Sequence, residues 1–317
     1  MKVDRAYDAA YREHAKHVWA IVYRMTGSAQ DADDLVQDTF VRAMVGNFST
    51  AREGDLRPWL ARIAVNAGID LLRQRRRRAY MGPWLPEPID TGDAASEPPA
   101  PGADRGYDLL ESASFAFLVA LEALAPRARA VLLLRDVFDY SVREVADVLA
   151  MTDSHVKVTH HRARQIMTTY DQSRCVPARE LQSRTRAVLE ALMARFVAHD
   201  VAGLERLLAE SVRTVSDSAG EYLAARVPIV GREKVALFWM KTTQWFSGAR
   251  IDVRMLNGLP AVVVVATGRT RRAGMASRIA IAVQLDPHGL VVELRTIVTD
   301  RKLARLFDGD ARPTPGD

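Results

Sequence analysis

The chain has 317 residues, about twice the length of one ordinary domain, so at least two domains are expected. It is 48% hydrophobic and 26% charged, which provides for real cores and excludes overall disorder; its single cysteine, Cys175, excludes an internal disulfide and a cysteine-cluster metal site. The net charge of +5 points to an acidic partner without locating it, because the first 170 residues are close to neutral. The opening residues carry no apolar signal core, and no apolar run reaches the roughly 18 residues a membrane helix needs. The reading therefore expects a soluble, cytoplasmic protein with no membrane contact, no cofactor and no metal.

Helices are expected from the start of the chain to about Gln74. Ser28 with Asp31 forms a capping-box pair, which starts a helix through Ala43. Ala32, Leu35, Val36, Thr39, Phe40 and Ala43 follow helical spacing and make its buried stripe. Asp34, Gln37, Asp38 and Val41 then share the opposite face, as a solvated acidic surface or as a dock for a basic partner. Pro58 sits in the first turn of the next helix. Its expected core stripe is Leu60, Ile63, Ala64, Ala67 and Leu71. Arg62, Asn66, Asp70 and Arg73 share its polar face, and the run Arg75–Arg78 extends it. Such a run attracts phosphates, or simply complements the carbonyl end of the helix.

Residues 82–106 hold 6 of the 14 prolines and read as an acidic linker. Helical periodicity resumes near Leu109. One helix is expected over about Arg127–Phe138. Ser141 and Glu144 cap the next, and a tight turn at Ala150–Thr152 leads into a third over about Asp153–Thr168. This is the helix-turn-helix pattern. Ser154, His155, Lys157 and Val158 lie near the start of its last helix, where bases are read. The neighbouring His160 and His161 diverge by about 100° and cannot chelate together. From Leu181 the order is helix, helix, strand, helix and four strands, with turn signals NGLP, GRTRRAG and DPHG, then a short helix near Asp300–Phe307. That order is α+β.

As a set, YRMTGSAQDADDLVQDTFVRA, RPWLARIAVNAGIDLLRQRRRR and LEALAPRARAVLLLRD…SVREVADVLAMTDSHVKVTHHRAR resemble sigma factors of the extracytoplasmic-function group. The resemblance spans about residues 7–170. The linker's YMGPWLPEP and the later NGLPAVVV resemble the subgroup that carries a C-terminal SnoaL-like domain, a cone also seen in nuclear transport factor 2. The glycine-rich stretch of that subgroup is present only as SDSAGEY, Ser216–Tyr222, and its C-terminal motif only as TDRKLARL, Thr299–Leu306. The expected architecture is two all-α sigma domains, the second with the helix-turn-helix, followed by an α+β cone. The expected boundaries are 1–80 for region 2, 81–108 for the linker, 109–172 for region 4 and 180–310 for the cone.

The resemblance implies core RNA polymerase (β′ and β subunits) and promoter DNA as partners. Asp33, Asp34, Gln37 and Asp38 would meet the polymerase. Phe48, in the loop Asn47–Asp55, would stack on an extruded minus-ten base. Trp59, Arg62, Asn66, Arg73, Arg75 and Arg76 would complete that site. Ser154, His155, Lys157, Val158, His161, Arg162 and Arg164 would read the minus-35 element. The acidic linker would thread near the RNA path of the polymerase. Within it, Trp84, Leu85, Pro86, Glu87 and Pro88 would bring the C-terminal domain into intramolecular contact with the sigma domains and so regulate them. Two alternatives stand beside this reading. One is a DNA-binding protein fused to a small-molecule-binding or isomerase/cyclase-type domain, with His199, Asp217, Tyr222 and Trp239 lining the cone. The other is a plain helix-turn-helix repressor, which leaves the acidic and basic helices unexplained.

Overall fold

The structure, a computed structural model, describes residues 2–45, 56–77, 80–95, 106–243, 248–266 and 274–307. Its contacts divide the chain into two compact units. The first takes residues up to Ala79 and Pro99–Cys175, and the second takes Tyr80–Pro98 and everything from Val176.

The first unit is helical. It contains α1 (Lys2–Thr26), α2 (Ala29–Val45), α3 (Leu56–Arg77), a single 3-10 turn (Glu111–Ala113), α4 (Phe115–Leu121), α5 (Pro126–Asp136), α6 (Val142–Leu149) and α7 (Asp153–Asp171). Ser28 caps α2 as expected, its Oγ accepting from the Asp31 amide at 3.2 Å. The α2 stripe is buried as expected, except that Leu35 is only half covered. In α3 the buried residues are Leu60, Ala61, Ala64, Val65, Gly68, Ile69 and Leu72. The expected stripe shared only Leu60 and Ala64 with these, and Ile63, Ala67 and Leu71 are half-covered. The cause is tertiary: α3 packs on α1 and α2 and also on α5 and α6, so small residues beside the apolar stripe are covered as well.

The helices of residues 109–171 thus share one unit with those of 2–77. Two buried arginines join them. Arg24 donates from Nε to Ser112 Oγ at 2.7 Å and also reaches the Leu109 carbonyl. Burial lowers its pKa to about 10, so it stays charged near neutrality. Arg129 donates to the Met25 carbonyl at 2.7 Å and pairs with Glu122 at 2.8 Å. Between the same two groups of helices, His17 hydrogen-bonds the Tyr140 hydroxyl at 3.0 Å.

The second unit is α+β. Helices α8 (Arg179–Val197) and α9 (Val201–Glu205) precede β1 (Leu208–Asp217) and β2 (Ile229–Val230). Helix α10 (Arg232–Thr243), strands β3 (Arg250–Leu256), β4 (Leu259–Val265), β5 (Arg278–Leu285) and β6 (Val291–Ile297), helix α11 (Asp300–Leu303) and a 3-10 turn to Phe307 follow. The sheet order is β2-β1-β6-β5-β4-β3. Only β1 and β6 run parallel; the other neighbours are antiparallel. Asn257 and Gly258, both at positive φ, make the two-residue turn between β3 and β4 that an Asn-Gly pair favours. Helices α8 and α10 cover one face of the sheet, where Leu189, Leu192, Trp239, Val262, Ile281 and Leu294 form the core. This is the α+β cone expected from the sequence.

Candidate functional site

Helix α2 presents its acidic side beside α1. Asp34 and Gln37 are exposed, while Asp33 is half-buried and accepts from Trp19 Nε1 at 2.8 Å. Asp38 pairs with Arg42 at 2.7 Å. Tyr11, Lys16 and Trp19 of α1 join Asp33 and Gln37 around a shallow groove of about 350 Å³. The α1 residues were missed in the sequence, although Tyr11, Ala15 and Trp19 recur at the helical spacing of four.

On α3, Arg62, Asn66 and Arg73 are exposed along one face, and Arg73 pairs with Asp70 at 3.2 Å. Trp59 is half-buried. Arg75 is turned inward, donating to the Thr26 carbonyl at 2.6 Å and to the Asp31 carboxylate. It therefore ties the end of α3 to the start of α2. Asp31, read from sequence only as a cap partner, supplies the counter-charge. Arg76 is exposed along its stem and donates to the Leu124 carbonyl at 2.8 Å. Phe48 and Arg78 lie outside the described residues.

In the helix-turn-helix, the Ser141–Glu144 capping box is closed in both directions, and Ala150 takes the left-handed conformation (φ 49°) that ends α6. Thr152 caps α7, accepting from the His155 amide at 3.3 Å. Val156, Ala163, Met167 and Tyr170 face the core. Ser154, His155, Lys157, Val158, His161 and Arg162 are exposed, so six of the seven expected readers share the open side. Arg164 does not. It pairs with Asp136 at 2.7 Å and lies 5.0 Å over the Tyr107 ring. His160 also meets Asp136, at 2.8 Å, so these two side chains fasten α7 to the end of α5. At the far end of α7, buried Glu111 accepts from Tyr170 Oη and Arg174 Nε, both at 2.8 Å. Burial, then the neighbouring Glu111 charge, pushes the Tyr170 phenol well above its ordinary value.

The linker's aromatic segment lies on the second unit. Asp217, at the end of β1, is fully buried. It accepts from Tyr80 Oη at 2.5 Å, from the Leu85 amide at 2.7 Å and from Lys302 Nζ at 2.6 Å. Lys302 lies 4.6 Å over the Trp84 ring. Leu85, Pro86, Glu87 and Pro88 are buried, and Asp90 and Asp93 are exposed. Further along, the Ile89 amide donates to Asn257 Oδ1 at 3.0 Å, and the Thr91 amide to the Met255 carbonyl at 2.9 Å. Residues 80–91 are thus strapped from the end of β1 to the β3–β4 turn.

Of the four residues expected to line the cone, His199 and Trp239 border its cavity. Asp217 holds the linker instead, because alternation along β1 turns it away from the side to which Thr214 and Ser216 point. Tyr222 is bound to Asp300 at 2.6 Å and is outside the lining. Among the described residues there is no group of three metal-ligating side chains, and no helix is long and apolar enough to cross a membrane.

Family models match two stretches: Sigma-70 region 2 over residues 10–78 and Sigma-70, region 4 over residues 114–167. The chain is 32% identical over 308 residues to the ECF RNA polymerase sigma factor SigJ of Mycobacterium tuberculosis, covering 94% of each chain. It is 34% identical over 244 residues to SigG of the same species, covering 69% of this chain and 64% of SigG. The crystal structure of SigJ superposes with a TM-score of 0.68 at 27% identity, covering 91% of this chain and 95% of that one. Matched end to end with such a relative, the protein belongs to the extracytoplasmic-function sigma factors of RNA polymerase.

Proposed function

We propose that this sigma factor docks on the β′ subunit of core polymerase through Asp33, Asp34, Gln37 and Asp38 of α2, with Trp19 and Tyr11 of α1 beside them, and acts in the cytoplasm. Arg62, Asn66 and Arg73 hold minus-ten DNA, with Trp59 and Arg76 at the margins of that face and Phe48 in the loop before it. Ser154, His155, Lys157, Val158, His161 and Arg162 enter the major groove at the minus-35 element, and region 4 makes the β contact. Arg75 and Arg164 act by positioning α3 and α7. The observation that carries this reading is the division of α7: its readers are exposed on one side while Arg164 and His160 are tied to Asp136 on the other.

Asp34→Arg with Asp38→Arg is expected to weaken binding to core polymerase about ten-fold at low salt, an effect that shrinks as salt rises. Fluorescence anisotropy of labelled protein against core enzyme checks it; unchanged affinity with intact helicity would overturn the docking assignment. Lys157→Ala and Arg162→Ala are each expected to cost about 1–3 kcal/mol on the cognate promoter if the residue reads a base edge. Arg164→Ala should instead lower the unfolding midpoint, since it removes one of the two partners of Asp136. Band-shift titrations beside thermal unfolding separate the two classes.

The C-terminal domain, in this reading, regulates rather than catalyses. Two observations support that. Its cavity has no carboxylate among the described lining residues, and its buried Asp217 and Lys302 grip the very chain that links regions 2 and 4. Residues 80–91 belong to the second unit, and regulation in this reading acts through that tether. The packing of region 2 on region 4 through Arg24 and Arg129 is the closed form of the free chain, which polymerase must open.

A further inference from the structure

Helix α7 turns Val156, Ala163, Met167 and Tyr170 toward the core. At about 100° per residue, each of these stands roughly 120–180° around the helix from Val158. Val158 therefore points away from the core, and it is 48% exposed. Ser154 and Arg162 lie about 40° to either side of it, and His155 and His161 about 60°. All four are exposed. An apolar side chain thus occupies the centre of an otherwise polar face. The turn that carries it is held from both ends. Val156, two residues before, is fully buried, and His160, two residues after, is tied to Asp136 at 2.8 Å.

A single exposed valine needs no explanation on most surfaces, but this one stands where a recognition helix meets bases. Such a helix brings its N-terminal residues against base edges in the major groove. Val158 is in the second turn of α7, which begins at Asp153, and the centre of the face comes nearest the groove floor. Valine is stiff in a helix, with one strongly preferred rotamer, so it delivers its methyl groups to one place. It can neither donate nor accept. Set against guanine, adenine or cytosine, it covers polar groups and leaves them without partners, which is costly. Thymine instead presents its C5 methyl group there.

We infer that Val158 is a specificity residue of the minus-35 site and packs on the C5 methyl of one thymine in that element. Lys157 and Arg162, at its flanks, hold polar base edges or phosphates and cannot make this distinction. The inference rests on the minus-35 reading of α7 and adds the base that the centre of its face selects.

Holoenzyme assembled from the full chain and core polymerase selects its sites from a library of randomised duplexes. In the selected upstream element each thymine is then replaced in turn by uracil, which removes only the methyl group. At one position the parent is expected to bind the uracil duplex about four-fold more weakly, as the loss of one buried methyl implies. Val158→Ala should bind the thymine and uracil duplexes equally. Ile166 is just as exposed, but it lies about 80° around the helix and roughly two turns further on. Ile166→Ala should therefore keep the parent's preference. An upstream element without thymine, uracil tolerated at every position, or a preference that survives in Val158→Ala would overturn the assignment. Lys157→Ala with Arg162→Ala separates this failure from that of the wider reading. If the double variant loses the upstream element, α7 is its reader and only the role of Val158 falls. If it binds the element as the parent does, the minus-35 reading falls too.

Discussion

Asp217→Asn is expected to lower the stability of the second unit by about 3–5 kcal/mol, because it removes the counter-charge of a buried lysine. The Lys302 side chain is 11% exposed and the Asp217 side chain is fully buried, so water screens the pair little. The same carboxylate also holds the Tyr80 hydroxyl and the Leu85 amide. The loss should therefore appear twice: as a lower urea midpoint, and as new protease cleavage within residues 80–91. Lys302→Met alone strands the carboxylate and should cost a similar amount. The double variant should recover part of the loss, since neither charge is then left buried without its opposite. If Asp217→Asn unfolds at the parent midpoint and its linker stays protected, the grip is not made by this carboxylate.

The second large effect concerns the closed form of the sigma helices. Arg24→Met with Arg129→Met removes hydrogen bonds from charged donors to Ser112, Leu109 and Met25. Bonds of that kind are worth about 1.5–3 kcal/mol each. Losing both arginines should populate an open form, in which region 2 and region 4 move independently. The radius of gyration in solution should rise. Apparent affinity for core polymerase should increase ten-fold or more, because a binding-competent state that was rare becomes common. Methionine keeps most of the apolar stem, so a collapsed core is not the expected cause. A variant that stays compact and binds core as the parent does would show that these arginines do not hold the closed form.

Much of this was legible in the residues. The helix-turn-helix follows from local chemistry: Ser141 with Glu144, a turn at Ala150, and a basic stretch after Thr152. Each signal lies within four residues of its partner, the range over which a sequence pattern is dependable. The strands of the cone were equally plain, since NGLP and DPHG punctuate alternating apolar runs. What escaped notice was pairing at long range. Asp217 and Lys302 are 85 positions apart, and Tyr80 and Asp217 are 137 apart. No periodicity connects such residues; only the fold does. Arg75 illustrates the same limit. Within a run of arginines it looked like its neighbours, yet Asp31, 44 positions earlier, draws it inward. The covered face of α3 also departed from its pattern, because neighbours on several sides bury more than one stripe.

The order in which the linker's partners are synthesised has a consequence for the newborn chain. The sigma helices are complete once Cys175 has emerged, but Lys302, which closes the grip on Leu85 and Asp217, comes 127 positions later. At a synthesis rate of about 5–20 residues per second, the intervening stretch takes roughly 6–25 s. For that interval every nascent copy carries finished promoter-reading helices and an ungripped linker. A grip completed only by Lys302 of α11 cannot form before that residue has been made. Each round of translation therefore opens a brief interval in which the linker is ungripped, its length set by the distance from Cys175 to Lys302, and moving the C-terminal domain ahead of the sigma helices in the gene would abolish it.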